Sequence, residues 1–165
     1  MKEQTWINLI DRSKWEDGLW NGEPDKKQWE DPATEYPCLA VRNDFGAWCG
    51  YVGVEETHPL YGVSYDEIHC PIEVHGGLTF ANFCDERSHV DHRICHIPEP
   101  GEPDNLWWLG FDCNHVMDYA PGLFHKPLKS DNASYKTLDY VRVECERLAS
   151  QLCAHESPQK NPEKE

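Results

Sequence analysis

The chain of 165 residues is long enough for a single domain, and about 39% hydrophobic residues, including seven tryptophans, can form a substantial core. Thirty acidic against fifteen basic side chains give a formal net charge of −15, which repels a phosphate backbone and excludes a general nucleic-acid-binding protein. No apolar run approaches the ~20 residues of a membrane span, and the N-terminal segment lacks the pattern of a signal peptide, so we expect a cytosolic protein.

The first 35 residues carry four tryptophans among charged residues, glycine and proline. Neither a two-residue nor a 3.6-residue hydrophobic period holds there for long, which predicts short helical turns and loops whose indoles pack on the main body. We expect one globular domain over residues 1–155 that includes this Trp-rich extension. The tail, residues 156–165, has almost no apolar side chain and is predicted to be disordered.

The middle of the chain has the pattern of strands. PCLAVRN and WCGYVGV flank the turn-forming NDFGA and predict a β-hairpin. EIHCPIEVHGGLTFANF contains two β-rich pieces, which Gly76 and Gly77 separate at a tight turn or bulge. LWWLGFDC is the most strand-like apolar run.

Residues 134–154 have the clearest helical pattern, with apolar residues at steps of three and four from Leu138 to Leu152. Ser134 is the expected N-cap. Together these elements predict an α+β fold, in which an antiparallel sheet of about four to six strands carries the C-terminal amphipathic helix on one face.

Four groups with useful chemistry follow the apolar strand: Asp112, Cys113, His115 and Asp118. Strand ends commonly present functional side chains, although Asp112 and Cys113 point to opposite faces of a strand. The alternative is structural: Asp112 caps a turn, Cys113 packs in the core and His115 is an ordinary surface residue.

A second cluster surrounds His75. The adjacent Gly76 and Gly77 allow close approach of a ligand, their N–H groups can hold an anion, and Thr79 follows in the same segment. His75 and His115 are therefore a candidate acid and base pair for metal-free phosphodiester cleavage near neutral pH. The alternative is that His75 is hydrogen-bonded within a bulged strand.

Eight cysteines without an export signal predict reduced thiols that can pack, bind metal or react. One candidate zinc site is the loop of Cys84, His89, His92 and Cys95, and a second set combines Cys84, Cys95 or His96, and Cys113 or His115. The alternative is a polar loop with two core-facing cysteines.

An anionic ligand would need local positive charge in so acidic a protein. The candidate cations are Arg42, Arg87, Arg93 and Lys126. Trp108, Trp107 or Trp48 could stack on a base, although tryptophans at this frequency usually form the core.

The chain resembles a family of small uncharacterised proteins of bacteriophages and prophages. The resemblance covers residues 23–152 and rests on the pieces EPDKKQW, YPCLAVRN, WCGYVGV, HPLYG, VHGGLTF, ICHIPEPGEPDNLWWLGFDCNH and YKTLDYVRVECERLASQL. It implies a phage origin and the bacterial host cytoplasm, and Asp118 matches the place of an acidic residue in the family. His89 and His92 lie where the loop is expected to vary.

These observations lead to two functional hypotheses. In the first, the protein counters host defence by binding or hydrolysing a small nucleotide or phosphodiester signal at a His/Asp/Cys site, with zinc as a possible cofactor. In the second, it is a non-catalytic acidic inhibitor that binds a host defence protein or mimics nucleic acid. Exposed tryptophans among acidic residues also make homo-oligomerisation an expectation.

Overall fold

Six antiparallel strands form one sheet in the computed structural model, which describes residues 1–84, 94–123 and 132–156. The order across the sheet is β1-β2-β3-β4-β6-β5. The strands are β1 (Gln4–Trp6), β2 (Lys26–Glu30), β3 (Pro37–Arg42), β4 (Trp48–Val54), β5 (Phe80–Phe83) and β6 (Trp107–Asp112). With helix α1 (Leu138–Glu156) they confirm the predicted α+β fold, and two 3₁₀ helices cover Leu19–Gly22 and Tyr65–Glu67.

The predicted hairpin is confirmed as β3 and β4, which pair in register from Cys38 with Val52 to Arg42 with Trp48. The Asn43 side chain closes the turn by accepting the backbone N–H groups of residues 45 and 47 at 3.0 Å each. This is the local hydrogen bonding that favours asparagine in turns.

The N-terminal segment differs from the prediction in part. β1 and β2 are strands, whereas Leu19–Gly22 is a short helical turn and the Trp20 and Trp29 side chains are buried, as expected. The alternation of the two strands is hidden because polar side chains occupy buried positions. The Lys26 ammonium lies 4.7 Å from the centre of the Trp6 ring. The Gln28 amide group donates to Lys2 and Ile97 carbonyls and accepts the Ile97 N–H. Satisfied polar groups of this kind carry no hydrophobic signal in the sequence.

Of the two β-rich pieces predicted in residues 67–83, only the second forms a strand, at Phe80–Phe83, and the prediction for residues 67–75 was wrong. Side chains of α1 take the place of a neighbouring strand. The Glu73 N–H donates to Gln151 Oε1, and the His75 N–H donates to Glu144 Oε2, both at 2.7 Å. The segment therefore lies along the helix, which places His75 beside it.

Helix α1 covers one face of the sheet and fills the main core. Val141, Cys145, Leu148, Ala149 and Leu152 are completely buried there, as the apolar stripe predicts. No helix in the described parts of the chain is long and apolar enough to cross a membrane.

The helix begins at Leu138, four residues after the predicted N-cap Ser134. Thr137 is the cap, because its Oγ1 accepts the Tyr140 N–H at 3.2 Å. The Leu138 N–H, also left unpaired by the helix, donates to Glu23 Oε1 at 2.7 Å. The N-terminal segment thus holds the start of the helix that carries Tyr140.

Candidate functional site

Two imidazoles and one carboxylate converge on the helix-covered side of the sheet, beyond the end of β6. His75 Nε2 lies 2.8 Å from Asp118 Oδ2, and His115 Nδ1 lies 3.1 Å from the same oxygen. The ring centroids of the histidines are 5.4 Å apart. His75, His115 and Asp118, predicted separately from two parts of the sequence, form one cluster.

Glycine is required beside this cluster for two reasons. Gly76 has φ +67°, and a Cβ built there would collide with the His115 ring. Gly77 has φ +84° but faces open space, and its N–H closes the turn onto the Val74 carbonyl at 3.0 Å. The first glycine therefore makes room for an imidazole, whereas the second only serves the backbone.

A turn after β6 supplies the other half of the cluster. The Asp118 N–H donates to the His115 carbonyl at 2.9 Å, and Asp118 Oδ2 accepts the His115 backbone N–H at 3.0 Å. Residue 118 also forms a bridge with Ser134, just before the helix. The position of Asp118 is thus fixed by backbone contacts with His115 and with Ser134.

The electrostatics of Asp118 favour its ionised form. Only 2% of its side chain is exposed, and burial alone would raise its pKa. The hydrogen bonds from His75 and from the His115 backbone outweigh burial and leave the pKa below its ordinary value. Lys136 Nζ lies 3.4 Å from the other oxygen, Oδ1. The cluster therefore contains a buried negative charge at neutral pH.

Helix α1 supplies further groups that the sequence reasoning missed. The Tyr140 hydroxyl lies 2.9 Å from His75 Nδ1, and Glu144 accepts the His75 N–H. Burial, with the negative charge of Glu144 next, raises the pKa of Tyr140, so its hydroxyl keeps its proton at neutral pH. Tyr140 and Glu144 are four residues apart, and that pattern could have placed them on one face of the helix, whereas Lys136 lies two residues before the helix begins.

Asp112 and Cys113 take the structural roles that were the alternative prediction. Asp112 Oδ1 accepts the Asn114 N–H at 3.0 Å and caps the turn. Cys113 is 2% exposed within the core under the helix, and burial raises its pKa. The carboxylate that orients the imidazoles is therefore Asp118 rather than Asp112.

Arg42 and Trp108 lie away from the cluster. The Arg42 side chain is fully buried, and it donates to Glu23, Tyr135 and the Gly46 carbonyl. Trp108 is completely buried on the opposite face of the sheet. Both stabilise the fold and cannot reach a ligand at the cluster as this structure places them.

The remaining predicted ligand contacts are mixed. Thr79 is exposed, and its N–H is bound to the Gly110 carbonyl. Gly76 and Gly77 border His115 and His75, although the Gly77 N–H is already used by the turn. Arg93, Arg87 and Lys126 lie outside the described residues.

The predicted cysteine-based metal set is not assembled. Cys84 and Cys95 form a disulfide with each other, with their Cα atoms 4.9 Å apart, and so differ from the free thiols expected. His96 packs on Trp108 and binds the Pro103 carbonyl, and burial lowers its pKa. Cys113 faces the helix on the other side of the sheet. His89 and His92 of the alternative set lie outside the described residues.

Over residues 1–84, 94–123 and 132–156, one group of histidine, cysteine and acidic side chains has the arrangement of a metal site. It consists of His75, His115 and Asp118, with one potential ligand atom from each residue and all three atoms within 4.8 Å of one another. Two nitrogens and one oxygen suit a divalent transition metal.

The fold and site define an α+β protein with a His/Asp cluster at the end of its sheet. A scan against protein-family models found no match to this chain. Searches of curated proteins and of solved structures also found none.

Proposed function

We propose that the protein binds and hydrolyses a small nucleotide or phosphodiester at the cluster of His75, His115 and Asp118. The observation that carries this proposal is the convergence of two imidazoles on one buried carboxylate oxygen, at 2.8 and 3.1 Å. Imidazole is the side chain that best accepts and donates protons near neutral pH.

The exposure of the residues gives each a place in the reaction. His115 has 39% of its side chain exposed and is the group that meets a ligand from solvent. His75 is only 16% exposed and is fixed at both ring nitrogens, by Asp118 and by Tyr140. Asp118 orients both rings and stabilises positive charge on either of them.

The chemistry required is hydrolysis of a phosphate ester. The oxygen of water bonds to phosphorus while the P–O bond to the leaving group breaks; one proton leaves the water, and one goes to the departing oxygen. His115 can exchange these protons through Nε2, the nitrogen that Asp118 does not hold, while His75 would do so only by giving up its bond to Asp118 or Tyr140; alternatively, the two imidazoles hold an ion that activates the water. Both modes cleave the same bond, so the proposed function is independent of the choice.

The charge of Lys136 supports an anionic ligand. Its ammonium group lies within 3.4 Å of Asp118 and beside the Tyr140 ring, at 5.6 Å from the ring centre. Within a chain of net charge −15, a cation at the reactive cluster is a specific local feature. Its ammonium group also donates to Ser134 Oγ at 2.5 Å, so a phosphate would share this point charge with Asp118 and Ser134.

The resemblance to phage and prophage proteins extends the proposal to a biological role. The ligand would be a nucleotide signal of host defence, and the protein would act in the cytoplasm of the bacterial host. Only the resemblance supports this extension.

The test is a turnover assay with linear and cyclic mono-, di- and oligonucleotides, followed by ion-exchange chromatography. We expect at least one substrate to be consumed, and His115→Gln to lower the rate by at least about 100-fold, within the range of acid–base catalysis. His69→Ala, which changes an exposed histidine outside the cluster, is the matched control. Equal turnover in His115→Gln and His69→Ala would overturn the assignment, as would an absence of both turnover and binding across the panel.

The high negative charge favours a second candidate, an acidic inhibitor of a host protein. Binding driven by this charge should weaken steeply between ~50 and ~200 mM salt. Capture of a basic host protein with that salt dependence, unaffected by His115→Gln, would favour the inhibitor over the hydrolase.

A further inference from the structure

We propose that His75, His115 and Asp118 bind one divalent transition metal ion, of which zinc is the type, through His75 Nε2, His115 Nδ1 and Asp118 Oδ2. The inference rests on the proposed function because it concerns the same site, and it identifies the agent that activates the attacking water. Metal binding is measured without any substrate, so the two proposals can fail separately.

Two of the three separations among these atoms fit a shared ion, and the third, between the two nitrogens, is within 4.8 Å. Ligands at ~2.1 Å from a metal lie about 3 Å apart when they are at right angles and ~3.4 Å apart in a tetrahedron. The two nitrogen-to-oxygen distances of 2.8 and 3.1 Å match the first value, so a tetrahedral ion would require each nitrogen to move from the oxygen by about 0.3 to 0.6 Å. Small rotations of the two rings would place an ion between all three atoms.

The distribution of contacts on Asp118 also favours an ion. Both imidazole nitrogens and the His115 backbone N–H crowd the single oxygen Oδ2. The other oxygen, Oδ1, has Lys136 at the longer distance of 3.4 Å. A carboxylate that served only to orient two histidines could offer one oxygen to each ring. Convergence on one oxygen brings both nitrogens to the same side of the carboxylate, from which all three atoms can reach one ion.

The surroundings of the three residues resemble the outer shell of metal sites. A ligating histidine usually bonds a partner through its second nitrogen, and His75 does so through Tyr140 at 2.9 Å. Its backbone is held by Glu144, and Lys136 contacts the non-ligating oxygen of Asp118. The two less exposed ligands, His75 and Asp118, are therefore oriented before an ion binds.

The exposure of the site fits a catalytic ion better than a structural one. Asp118 is buried, whereas 39% of the His115 side chain is exposed, so an ion can enter from that side. Three protein ligands leave at least one position for water, which is the arrangement of catalytic zinc sites. Zinc lowers the pKa of such a water to about 7, which would supply hydroxide at neutral pH.

The experiment is a titration of the chelator-stripped full-length protein with Zn²⁺ by calorimetry, in the presence of a competing chelator of known affinity. We expect one strong site per chain, and a loss of affinity of at least about 100-fold in both His75→Ala and His115→Gln. Tyr140→Phe should weaken binding about tenfold, as removal of an outer partner does. His69→Ala should bind like the parent chain. His115 is exposed, so His115→Gln should fold, and tryptophan fluorescence verifies this for each variant.

Cobalt distinguishes this site from thiols elsewhere in the chain. Co²⁺ bound by two nitrogens and an oxygen should show visible d–d bands without the intense near-ultraviolet absorption of thiolate ligation. Thiolate absorption, a site retained at full affinity in His115→Gln, or no strong site at all would each overturn the metal proposal. Turnover that survives exhaustive chelation would also overturn it while leaving the hydrolase proposal intact. A bound ion without turnover or binding of any nucleotide would do the reverse.

Discussion

Gly76→Ala would introduce a methyl group into the space that the His115 ring occupies, and Gly77→Ala is its matched control. Both glycines have positive φ, so each substitution carries a backbone strain of about 1 kcal/mol. At Gly77 nothing lies within 4 Å of the added Cβ, and the strain is the whole cost. At Gly76 the His115 ring must also move.

The additional cost at Gly76 can be bounded from the structure. The His115 ring is 39% exposed and can swing into solvent, so the variant should lose the hydrogen bond to Asp118 rather than unfold. A bond to a charged partner is worth ~1.5–3 kcal/mol when buried. Solvent screening reduces that here to about 1 kcal/mol. We therefore expect losses of about 2 kcal/mol for Gly76→Ala and ~1 kcal/mol for Gly77→Ala.

Urea denaturation followed by tryptophan fluorescence measures both losses, and NMR of the imidazole nitrogens reports the His115 environment. The His115 signals should change strongly in Gly76→Ala and little in Gly77→Ala. The reasoning would be refuted by equal stability losses together with unchanged His115 signals in both variants, because the glycine would then have no role in placing the ring.

Three further predictions follow from burial and hydrogen bonding elsewhere. Because folding lowers the pKa of Asp118, its stabilising contribution is present above about pH 4 and is lost as the pH falls through the folded-state pKa. The difference in unfolding free energy between the parent chain and Asp118→Asn, measured by denaturation at several pH values, should therefore shrink on acidification. Iodoacetamide should label the partly exposed Cys70 far faster than Cys38 and Cys145, which are fully buried with raised pKa values, and equal labelling by peptide mass spectrometry would contradict the packing. Glu23→Ala should cost about 3 kcal/mol in urea denaturation, because it removes one of the two carboxylates that pair with the buried Arg42 and the acceptor of the Trp48 and Tyr135 donors. A loss below ~1 kcal/mol would argue against that network.

The parts of the fold that the sequence predicted are those in which burial follows a simple period. The β3–β4 hairpin has turn residues between two apolar runs, β6 is an apolar run, and α1 has a regular stripe. β2 escaped prediction because Lys26 and Gln28 are buried polar residues whose partners, Trp6, Lys2 and Ile97, are distant in sequence. Such pairing exists only after folding and leaves no local pattern.

The site was predicted in part for a similar reason. The sequence indicated His75 as a reactive residue beside two glycines. It indicated His115 and Asp118 as reactive residues just beyond the end of an apolar strand. The meeting of all three depends on a non-local arrangement, in which residues 73–75 bond to side chains of α1 instead of joining the sheet. Tyr140 was missed because an aromatic residue on a helix is usually a packing residue.

The order of strands across the sheet has a consequence for folding kinetics. β4 pairs with β6, although residues 55–106 lie between them, whereas β3 and β4 are joined by a short turn. Closing the long connection between β4 and β6 costs chain entropy before any stabilising contact forms. We therefore expect the β3–β4 hairpin to form early and β6 to pair with β4 late. His75 lies within the connection between β4 and β6, whereas His115 and Asp118 follow β6. We therefore expect the histidines to meet late in folding, so that a partly folded chain in which β6 has not docked lacks the cluster.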